Sequence, residues 1–451
     1  MRQWKMWMAS ALALALMCGP MSALAVEENH DGDAGGSSVE VTSVEMVDAS
    51  SDDADVTSTV YEDPDVAVNH EGLESGLIGA AFVNNEYFEN GFELPLKGAT
   101  GWGVCALNVR QKDDIKSRKM TVVQAGVAFE ILEEGDKYLN VRLADGTEGW
   151  VSTAYTMVNL PDVLPSVVYN AVNSEAAMFK SQGKDLPGVT GKALYDVSRE
   201  NERLGHAEYD MPVLYSMAVK IAAAQRAALV NGDTLMICET YRPMTTQKAV
   251  VAALQTLMKS DAAVRNDING WGTSWFIATG ISNHQRGYAV DLTLGKVQDV
   301  ESFTCGHYTM NVPGAVVEYE MPTVIHELST KAAALAKPVT SLSETGWKTV
   351  DAAETMTEGA KLLQKYMTDA GLTPLTSEWW HFNDLAARKG TSGAGTGAFE
   401  LSPNVSKAYD INIELPMVDE YVYVNTDHLG EFDPDEPAMM TIPEGAQGLY
   451  N

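Results

Sequence analysis

Two short segments hold the histidines and carboxylates that a catalytic zinc site requires. One runs from His284 to Asp291, and the other, about ninety residues further along the chain, from Glu378 to His381. A catalytic zinc ion takes roughly three protein ligands and leaves a fourth position to water, whose pKa falls to about 7. His284, Asp291 and His381 can supply the three ligands, which leaves Glu378 free. The two segments therefore predict one bound Zn²⁺ and a hydrolytic reaction.

The free carboxylate, Glu378, is predicted to be the general base. General acid–base catalysis requires a group within hydrogen-bond reach of the proton that moves. Glu378 lies three residues before the predicted ligand His381. It is therefore well placed to take a proton from a zinc-bound water and to pass it to the leaving amine. A histidine taken singly is more often an ordinary surface residue, and only the joint pattern favours a metal site.

The element that must hold Asp291 is predicted to be a β-strand. Residues 288–294 are β-rich, and a period of two places Asp291 on one face with Ala289 and Thr293. The alternate positions point to the core and are Tyr288, Val290, Leu292 and Leu294. Further predicted elements are a buried strand at 234–238 and helices at 212–230, 244–259 and 358–370. Helices that flank a short antiparallel sheet make an α+β fold.

These segments resemble the signature of the D-Ala-D-Ala dipeptidase and carboxypeptidase family of zinc peptidases, the type responsible for vancomycin resistance. That signature has the form S-x-H-x-x-G-x-A-x-D followed much later by E-x-W-H. Every fixed position is occupied in this chain, by Ser282, His284, Gly287, Ala289, Asp291, Glu378, Trp380 and His381. The double tryptophan at 379–380 and the run D-L-T-L at 291–294 look more like the dipeptidase branch.

The resemblance also implies roles for three residues outside the predicted metal ligands. Arg242 lies in a Tyr-Arg-Pro tripeptide whose arginine faces the active site in the family, so it is expected to stabilise the oxyanion of the tetrahedral intermediate. A guanidinium in a dry site can be worth about 3 kcal/mol of barrier. Ser282 is expected to contact substrate. Glu320 stands where the dipeptidases hold the substrate's free amino terminus, although Pro322 replaces their glycine; the alternative is a solvated loop glutamate.

The two ends of the chain differ from its middle in composition. Residues 1–25 have the basic start, apolar stretch and A-x-A end of a secretory signal peptide, with lipidation at Cys18 as the alternative. Residues 26–98 are predicted to be an acidic, largely disordered spacer, and 391–451 an acidic C-terminal extension of unknown role with a possible strand at 421–424. No other segment approaches 18 consecutive apolar residues, so no membrane span is predicted in the mature protein.

Residues 99–159, here called the SH3-like module, are predicted to form a small β-barrel. Short β-rich runs alternate with Gly and Asp-Gly turns, and the pattern L-N-V-R followed by D-G-x-x-G-W-V resembles the bacterial SH3 domains that accompany cell-wall hydrolases. The module would precede a zinc D-Ala-D-Ala peptidase domain at 160–390. We expect the two to be independent, with few contacts across their boundary. Candidate ligand contacts of the module are Trp102, Trp150 and Tyr155.

Together these features predict a secreted or wall-associated zinc peptidase that cleaves peptidoglycan stem peptides at or near D-Ala-D-Ala. A net charge of −31 would repel the protein from a polyanionic wall, so retention there would need the SH3-like module. No nucleic-acid partner is predicted. Dipeptidase and carboxypeptidase action both remain open, and two alternatives stand beside them. One is an L,D-type wall endopeptidase, and the other is a non-catalytic wall-binding protein.

Overall fold

The computed structural model of the chain describes residues 70–339, 342–391 and 397–408. Several predictions fall on other residues and lie outside the described part of the chain: the signal peptide, lipidation at Cys18, the spacer up to residue 69, and the possible strand at 421–424.

The described residues contain helices and strands along their whole length. The helices are α1 (His70–Phe82), α2 (Val172–Glu175), α3 (Tyr215–Leu229), α4 (Met244–Ser260), α5 (Ala262–Trp271), α6 (Thr273–Phe276), α7 (Glu358–Asp369) and α8 (Leu385–Gly390). The strands are β1 (Thr100–Gly103), β2 (Leu107–Arg110), β3 (Lys119–Val123), β4 (Ala128–Glu134), β5 (Tyr138–Arg142), β6 (Glu148–Ser152), β7 (Thr156–Asn159), β8 (Val168–Tyr169), β9 (Lys180–Ser181), β10 (Lys184–Asp185), β11 (Ser198–Asn201), β12 (His206–Tyr209), β13 (Pro212–Leu214), β14 (Asp233–Glu239), β15 (Ala289–Cys305), β16 (Tyr308–Glu318), β17 (Thr373–Leu375) and β18 (Glu378–Asn383). This mixture of helices and mainly antiparallel sheets confirms the predicted α+β class.

The larger sheet contains all seven strands of the SH3-like module. Its order is β13-β7-β1-β4-β5-β6-β2-β3. The module does not begin the folded part of the chain, because α1 and a buried segment come before it. Its placement at the N-terminal end is therefore corrected to an interior position.

The edge strand β13 comes from the predicted peptidase domain and not from the module. Val213 pairs with Val158 of β7, and Leu214 pairs with Met157. The prediction of a helix at 212–230 is therefore wrong for its first three residues, although Tyr215–Leu229 is helical as expected. A proline is tolerated equally at the first turn of a helix and at an edge strand, so composition alone could not separate the two.

The last part of the predicted spacer is folded, so the expectation of disorder is wrong for residues 70–98. After α1, the side chains of Phe92 and Leu94 are fully buried. The backbone N–H groups of Glu93 and Leu94 both donate to the carbonyl of Val163. A few apolar residues fix this acidic stretch to the fold, because burial of each side chain of this size stabilises the folded state by about 1.5–3 kcal/mol.

The smaller sheet carries the residues predicted to do chemistry. Its order is β17-β18-β15-β14-β8, with β16 pairing with the outer length of β15. The helices α3 and α7 pack on this sheet and on each other. Strand β15 confirms the predicted strand around Asp291 and extends it as a long hairpin with β16. None of the helices in the described residues is long and apolar enough to cross a membrane.

Residues 397–408, here called the C-terminal strap, lie along the SH3-like module. Ser402 donates its backbone N–H to the Gly126 carbonyl and accepts the indole N–H of Trp102 on its own carbonyl, both at 2.9 Å. Nearer the smaller sheet, the ring of Phe399 stacks on Tyr241 with a centroid distance of 5.1 Å. A Cβ on Gly126 would come within 2.3 Å of the Glu400 carbonyl oxygen, so the strap requires a glycine there.

One hydrophobic core runs through both parts of the fold. It includes Trp102 and Phe129 of the SH3-like module together with Leu292 and Trp380 of the smaller sheet. With a shared sheet, a shared core and a strap that contacts both parts, the module is not independent of the residues that follow it. Trp102, one of the three candidate ligand contacts, is fully buried and is therefore a core residue.

Candidate metal centre

Three neighbouring strands place acidic and imidazole side chains in one row. In the register of the smaller sheet, Asp291 of β15 stands opposite Glu239 of β14 on one side and His381 of β18 on the other. Paired positions on adjacent strands present their side chains to the same face. The row is therefore a consequence of strand register, and it brings together residues that are far apart in the sequence.

His284 reaches this row from a short 3₁₀ turn, His284–Arg286, that precedes β15. The turn ends at Gly287, which has a φ of 75°. A Cβ at Gly287 would meet the Met157 side chain at 2.9 Å, so both the backbone conformation and the space require glycine. Ser282 supports the turn, because its hydroxyl oxygen accepts the backbone N–H of His284 at 3.2 Å.

Each histidine uses one ring nitrogen to hold its orientation and turns the other inward. The Nδ1–H of His284 donates to the Thr240 carbonyl at 2.7 Å. The Nε2–H of His381 donates to the Asn383 amide oxygen at 3.2 Å, and that oxygen also accepts the side-chain N–H of Asn283 at 2.7 Å. These partners leave a lone pair on His284 Nε2 and on His381 Nδ1. Such oriented second partners are typical of metal-binding histidines.

The inward-facing atoms are all acceptors, and they lie close together. His284 Nε2 is 3.3 Å from His381 Nδ1, and Asp291 lies 3.3 Å from the first and 2.8 Å from the second. Tetrahedral zinc with bonds of about 2.0–2.1 Å separates its ligand atoms by about 3.3 Å. Three acceptors that face one another in a buried place are satisfied by a proton on an imidazole or by a metal ion between them. The structure therefore brings together the three predicted ligands in an arrangement that fits a zinc ion.

Glu378 lies beside these donors and is buried. Its Oε2 is 3.6 Å from His381 Nδ1. Burial raises the pKa of the Glu378 carboxyl to about 8, while the neighbouring His381 imidazole acts in the opposite direction. A divalent cation next to this carboxyl would lower its pKa again. Glu378 therefore lies close to the three donor atoms without being one of them.

Asp291 stays ionised in spite of its burial. Burial alone would raise its pKa, but the imidazoles of His284 and His381 hold the pKa of this carboxyl well below its usual range. An anionic carboxylate between two imidazoles is the charge state that a divalent metal requires of its ligand.

A second set of donor atoms, from Glu239, Asp291 and His326, also converges. This set already contains a cation, because Arg242 Nη2 donates to Glu239 Oε2 and to Asp291 Oδ2, the latter at 3.2 Å. Burial would raise the pKa of Glu239, but Arg242 and His326 outweigh it and hold the pKa below its usual value. The guanidinium therefore takes the place that a second metal would occupy.

Most of the Arg242 guanidinium is engaged inside the protein. Besides the two bonds of Nη2, its Nε donates to Glu239 Oε2 at 2.7 Å and its Nη1 to the Gln247 side chain at 3.0 Å. Of the five N–H donors of arginine, these bonds leave one on Nη1. The structure places Arg242 beside the metal donors as a support of Asp291. Its expected role at the oxyanion would depend on that remaining donor and stays a prediction.

His326 belongs to the site, although no sequence pattern indicated it. Its Nε2–H donates to Asp291 Oδ2 at 3.1 Å, and its ring stacks on Phe179 at a centroid distance of 4.4 Å. The residue has a φ of 63°, a conformation that side-chain-bearing residues rarely adopt. Strained backbone of this kind persists where the surroundings hold it, often at functional sites. Glu239 was missed as well, since only strand register shows that it faces Asp291.

The donor atoms open into a cavity of about 190 Å³. Its lining combines the polar centre with an apolar wall, and includes Phe179, Arg242, Trp275, Phe276, Ser282, His326, Glu378, Trp380 and His381. Trp380 faces this cavity, whereas its neighbour Trp379 packs elsewhere and donates its indole N–H to Thr323 at 3.0 Å. Ser282 lines the cavity, and its contact with substrate stays a prediction. Glu320 is exposed and does not line the cavity, so the structure does not bring it to the site.

Comparison with known proteins identifies one part of this chain. A family model described as a bacterial SH3 domain matches residues 106–157, which lie within the SH3-like module. That match confirms the predicted nature of the module. No curated protein matches the chain.

Proposed function

We propose that this protein is a zinc-dependent peptidase that hydrolyses peptidoglycan stem peptides or their fragments at or near D-Ala-D-Ala. The observation that carries the proposal is the convergence of His284 Nε2, an Asp291 carboxylate oxygen and His381 Nδ1, all within 4.8 Å of one another. Glu378 stands next to these atoms, and a cavity opens beside them. The resemblance of the surrounding motifs to the D-Ala-D-Ala peptidase family supplies the substrate class.

The residues around the centre have distinct tasks in this proposal. Zinc, when bound, would supply a water of lowered pKa and polarise the scissile carbonyl. Glu378 takes the proton of the attacking water and delivers it to the leaving amine, because it lies within reach of the donor atoms and is shielded from solvent. Arg242 and His326 hold Asp291 through one carboxylate oxygen. The aromatic and aliphatic wall of the cavity keeps bulk water away from the reaction.

The test is a direct assay of the purified protein with and without a chelator. D-Ala-D-Ala, a stem pentapeptide and purified wall are incubated with it, and the products are identified by mass. We expect chelator-sensitive release of D-Ala or of a fragment, restored by added Zn²⁺. The variants His284→Ala and His381→Ala should lose both metal and activity. Full zinc occupancy with unchanged affinity in either variant would show that the ligand assignment is wrong.

The second candidate is a wall-binding protein without catalysis, and the bacterial SH3 match favours it. Bacterial SH3 domains accompany cell-wall proteins, so the match also suggests that the protein acts at the wall or outside the cell. Sedimentation with purified wall separates the two candidates. Co-sedimentation by a zinc-loaded protein that cleaves neither pentapeptide nor wall would favour the binding protein over the peptidase. Cleavage at a different stem-peptide bond would indicate the L,D-type endopeptidase.

A further inference from the structure

A second cavity of about 570 Å³ adjoins the candidate metal centre. The two cavities meet at one shared residue, Trp275 of α6, which lines both. Trp275 is well fixed at this junction, since its ring meets the edge of Trp271 at a centroid distance of 6.5 Å and its carbonyl accepts the Ser377 hydroxyl. The junction therefore has a defined shape on the protein surface.

Two chain limbs form the sides of this second cavity, here called the outer groove. Residues 337–339 line the groove from one limb, and Gly346, Thr349 and Val350 line it from the other. Their bases are tied together where the Ala336 N–H donates to the Asp351 carbonyl at 2.9 Å, and Leu335 bridges to Ala352 in antiparallel fashion. The two limbs that line the groove are thus joined to each other by backbone contacts at their bases.

The outer groove combines apolar and polar surface with a single positive charge. Trp275, Pro338, Val339 and Val350 provide the apolar surface, and Lys337 provides the ammonium group. This cation is conspicuous in a chain of net charge −31. A partly apolar groove with a lysine at its side fits an extended peptide that carries a carboxylate.

We propose that the outer groove binds the part of a peptide substrate that extends beyond the residues at the metal centre, and that Lys337 pairs with a carboxylate on that part. This inference rests on the proposed peptidase function and narrows it. The preferred substrate is an acidic peptide longer than two residues, and a free dipeptide fills only the inner cavity. The position of Trp275 in the lining of both cavities and the charge of Lys337 are the observations that carry it.

The experiment measures kcat/KM for three peptides with the full-length, zinc-loaded protein. They are D-Ala-D-Ala, a pentapeptide ending in D-Ala-D-Ala with one additional free carboxylate, and the same pentapeptide with that carboxylate amidated. We expect the acidic pentapeptide to be cleaved best. In Lys337→Gln the ratio of acidic to amidated rates should fall about threefold, because exposed ion pairs contribute roughly 0.2–1 kcal/mol. Lys337→Glu should lower the ratio about tenfold, and added salt should reduce both effects.

Lys348→Gln is the matched control. Lys348 is an exposed lysine on the other limb of the groove, contacts the Trp347 ring and lines neither cavity. Its substitution should leave the ratio as in the wild type. Equal rates for the acidic and amidated pentapeptides, unchanged in both Lys337 variants, would overturn the inference while leaving the peptidase proposal intact. Effective competition by a peptide-free wall glycan would also overturn it, because the groove would then bind sugar. Failure to cleave any of the peptides would overturn both proposals.

Discussion

His326 stores backbone strain next to the candidate metal centre. Its φ of 63° lies in the left-handed region, where a side chain costs roughly 1–2 kcal/mol. The residue is buried, stacks on Phe179 and donates to Asp291 Oδ2. Those two contacts stabilise a histidine in this conformation. Its N–H, together with Arg242, holds Asp291 Oδ2, while Oδ1 faces His381 Nδ1. The strain is therefore linked to the orientation of a predicted metal ligand.

We expect His326→Ala to weaken zinc binding about 10- to 100-fold, as loss of an outer hydrogen bond to a metal ligand does. His326→Gly should lose the same affinity but unfold at a higher temperature than the alanine variant, because glycine relieves the positive φ. Competition with a chromophoric chelator and thermal unfolding measure the two effects. His206→Ala, at an exposed site in β12, is the control. Wild-type zinc affinity in both His326 variants would contradict a positioning role.

Glu378→Gln separates metal binding from proton transfer. The substitution keeps the shape of the side chain but removes the base, so we expect full zinc content and a turnover lowered about 10²- to 10⁴-fold. Metal analysis and single-turnover kinetics on the stem pentapeptide provide the measurement. Wild-type turnover with confirmed zinc content would exclude Glu378 as the base.

Sequence motifs predicted some of the residues of the site. The others reach it only through contacts between strands that are far apart in the sequence. His284, Asp291, Glu378 and His381 stand in motifs whose spacing is visible in the sequence. Glu239 comes to the site because β14 pairs with β15 in one particular register, which local composition does not encode. Asn383 and the Thr240 carbonyl orient the two histidines for the same kind of reason.

At the scale of elements, the periodic segments were the predictable ones. Strand β14 and helices α4 and α7 lie within a few residues of their predicted positions, because their apolar pattern agrees with how they are buried. The pairing of β13 with β7 was unpredictable, since it joins residues about fifty positions apart and depends on an open sheet edge. Residues 70–98 were predicted to be spacer because of their acidic composition, although a few of their apolar side chains are buried.

Glu93 links that segment to Ser166, which follows the SH3-like module. Its carboxylate accepts the Ser166 hydroxyl and, at 2.9 Å, the Ser166 N–H. Gln225 of α3 extends the network by donating to the Ser166 carbonyl at 2.9 Å. Burial raises the pKa of the Glu93 carboxyl to about 7, against the lowering effect of these Ser166 hydrogen bonds.

This carboxyl should make the protein less stable as the pH rises. The folded state holds the proton more tightly than the unfolded state, whose value is 4.5, so the contribution is fully present below about pH 4.5 and is lost up to about pH 7. The difference amounts to at most about 3 kcal/mol. We expect Glu93→Gln to make the free energy of unfolding depend less on pH over this range. Denaturant titration at several pH values measures this dependence. An identical pH dependence in the variant would show that Glu93 does not titrate in this way.

At the scale of the whole molecule, the described residues form one folding unit. The shared sheet, the common core and the C-terminal strap join the SH3-like module to the part of the chain that carries the candidate metal centre. Removing the module would expose the edge of β13 and the apolar residues Val213 and Leu214, which are fully buried in the intact protein. Domain boundaries drawn from sequence motifs therefore do not coincide with units of stability here.

We expect deletion of residues 101–158 to abolish the native fold, and not to leave an active peptidase. The intact protein should unfold in a single calorimetric transition, because the two parts share their core. The deletion variant should lack a cooperative transition and zinc binding. Calorimetry and metal analysis of both proteins are the measurements. A soluble, zinc-loaded deletion variant with its own sharp transition would restore the view of two independent modules.

The strap also sets an order in which the native structure can be completed as the chain is synthesised. The strands of the SH3-like module are made early, yet the Thr100 hydroxyl and the Trp102 indole meet their partners at Ser406 and Ser402, about three hundred residues later. Buried polar groups without partners cost about 1–3 kcal/mol each. The strands of the SH3-like module are therefore synthesised early but complete their hydrogen bonds only after residue 406 has been made.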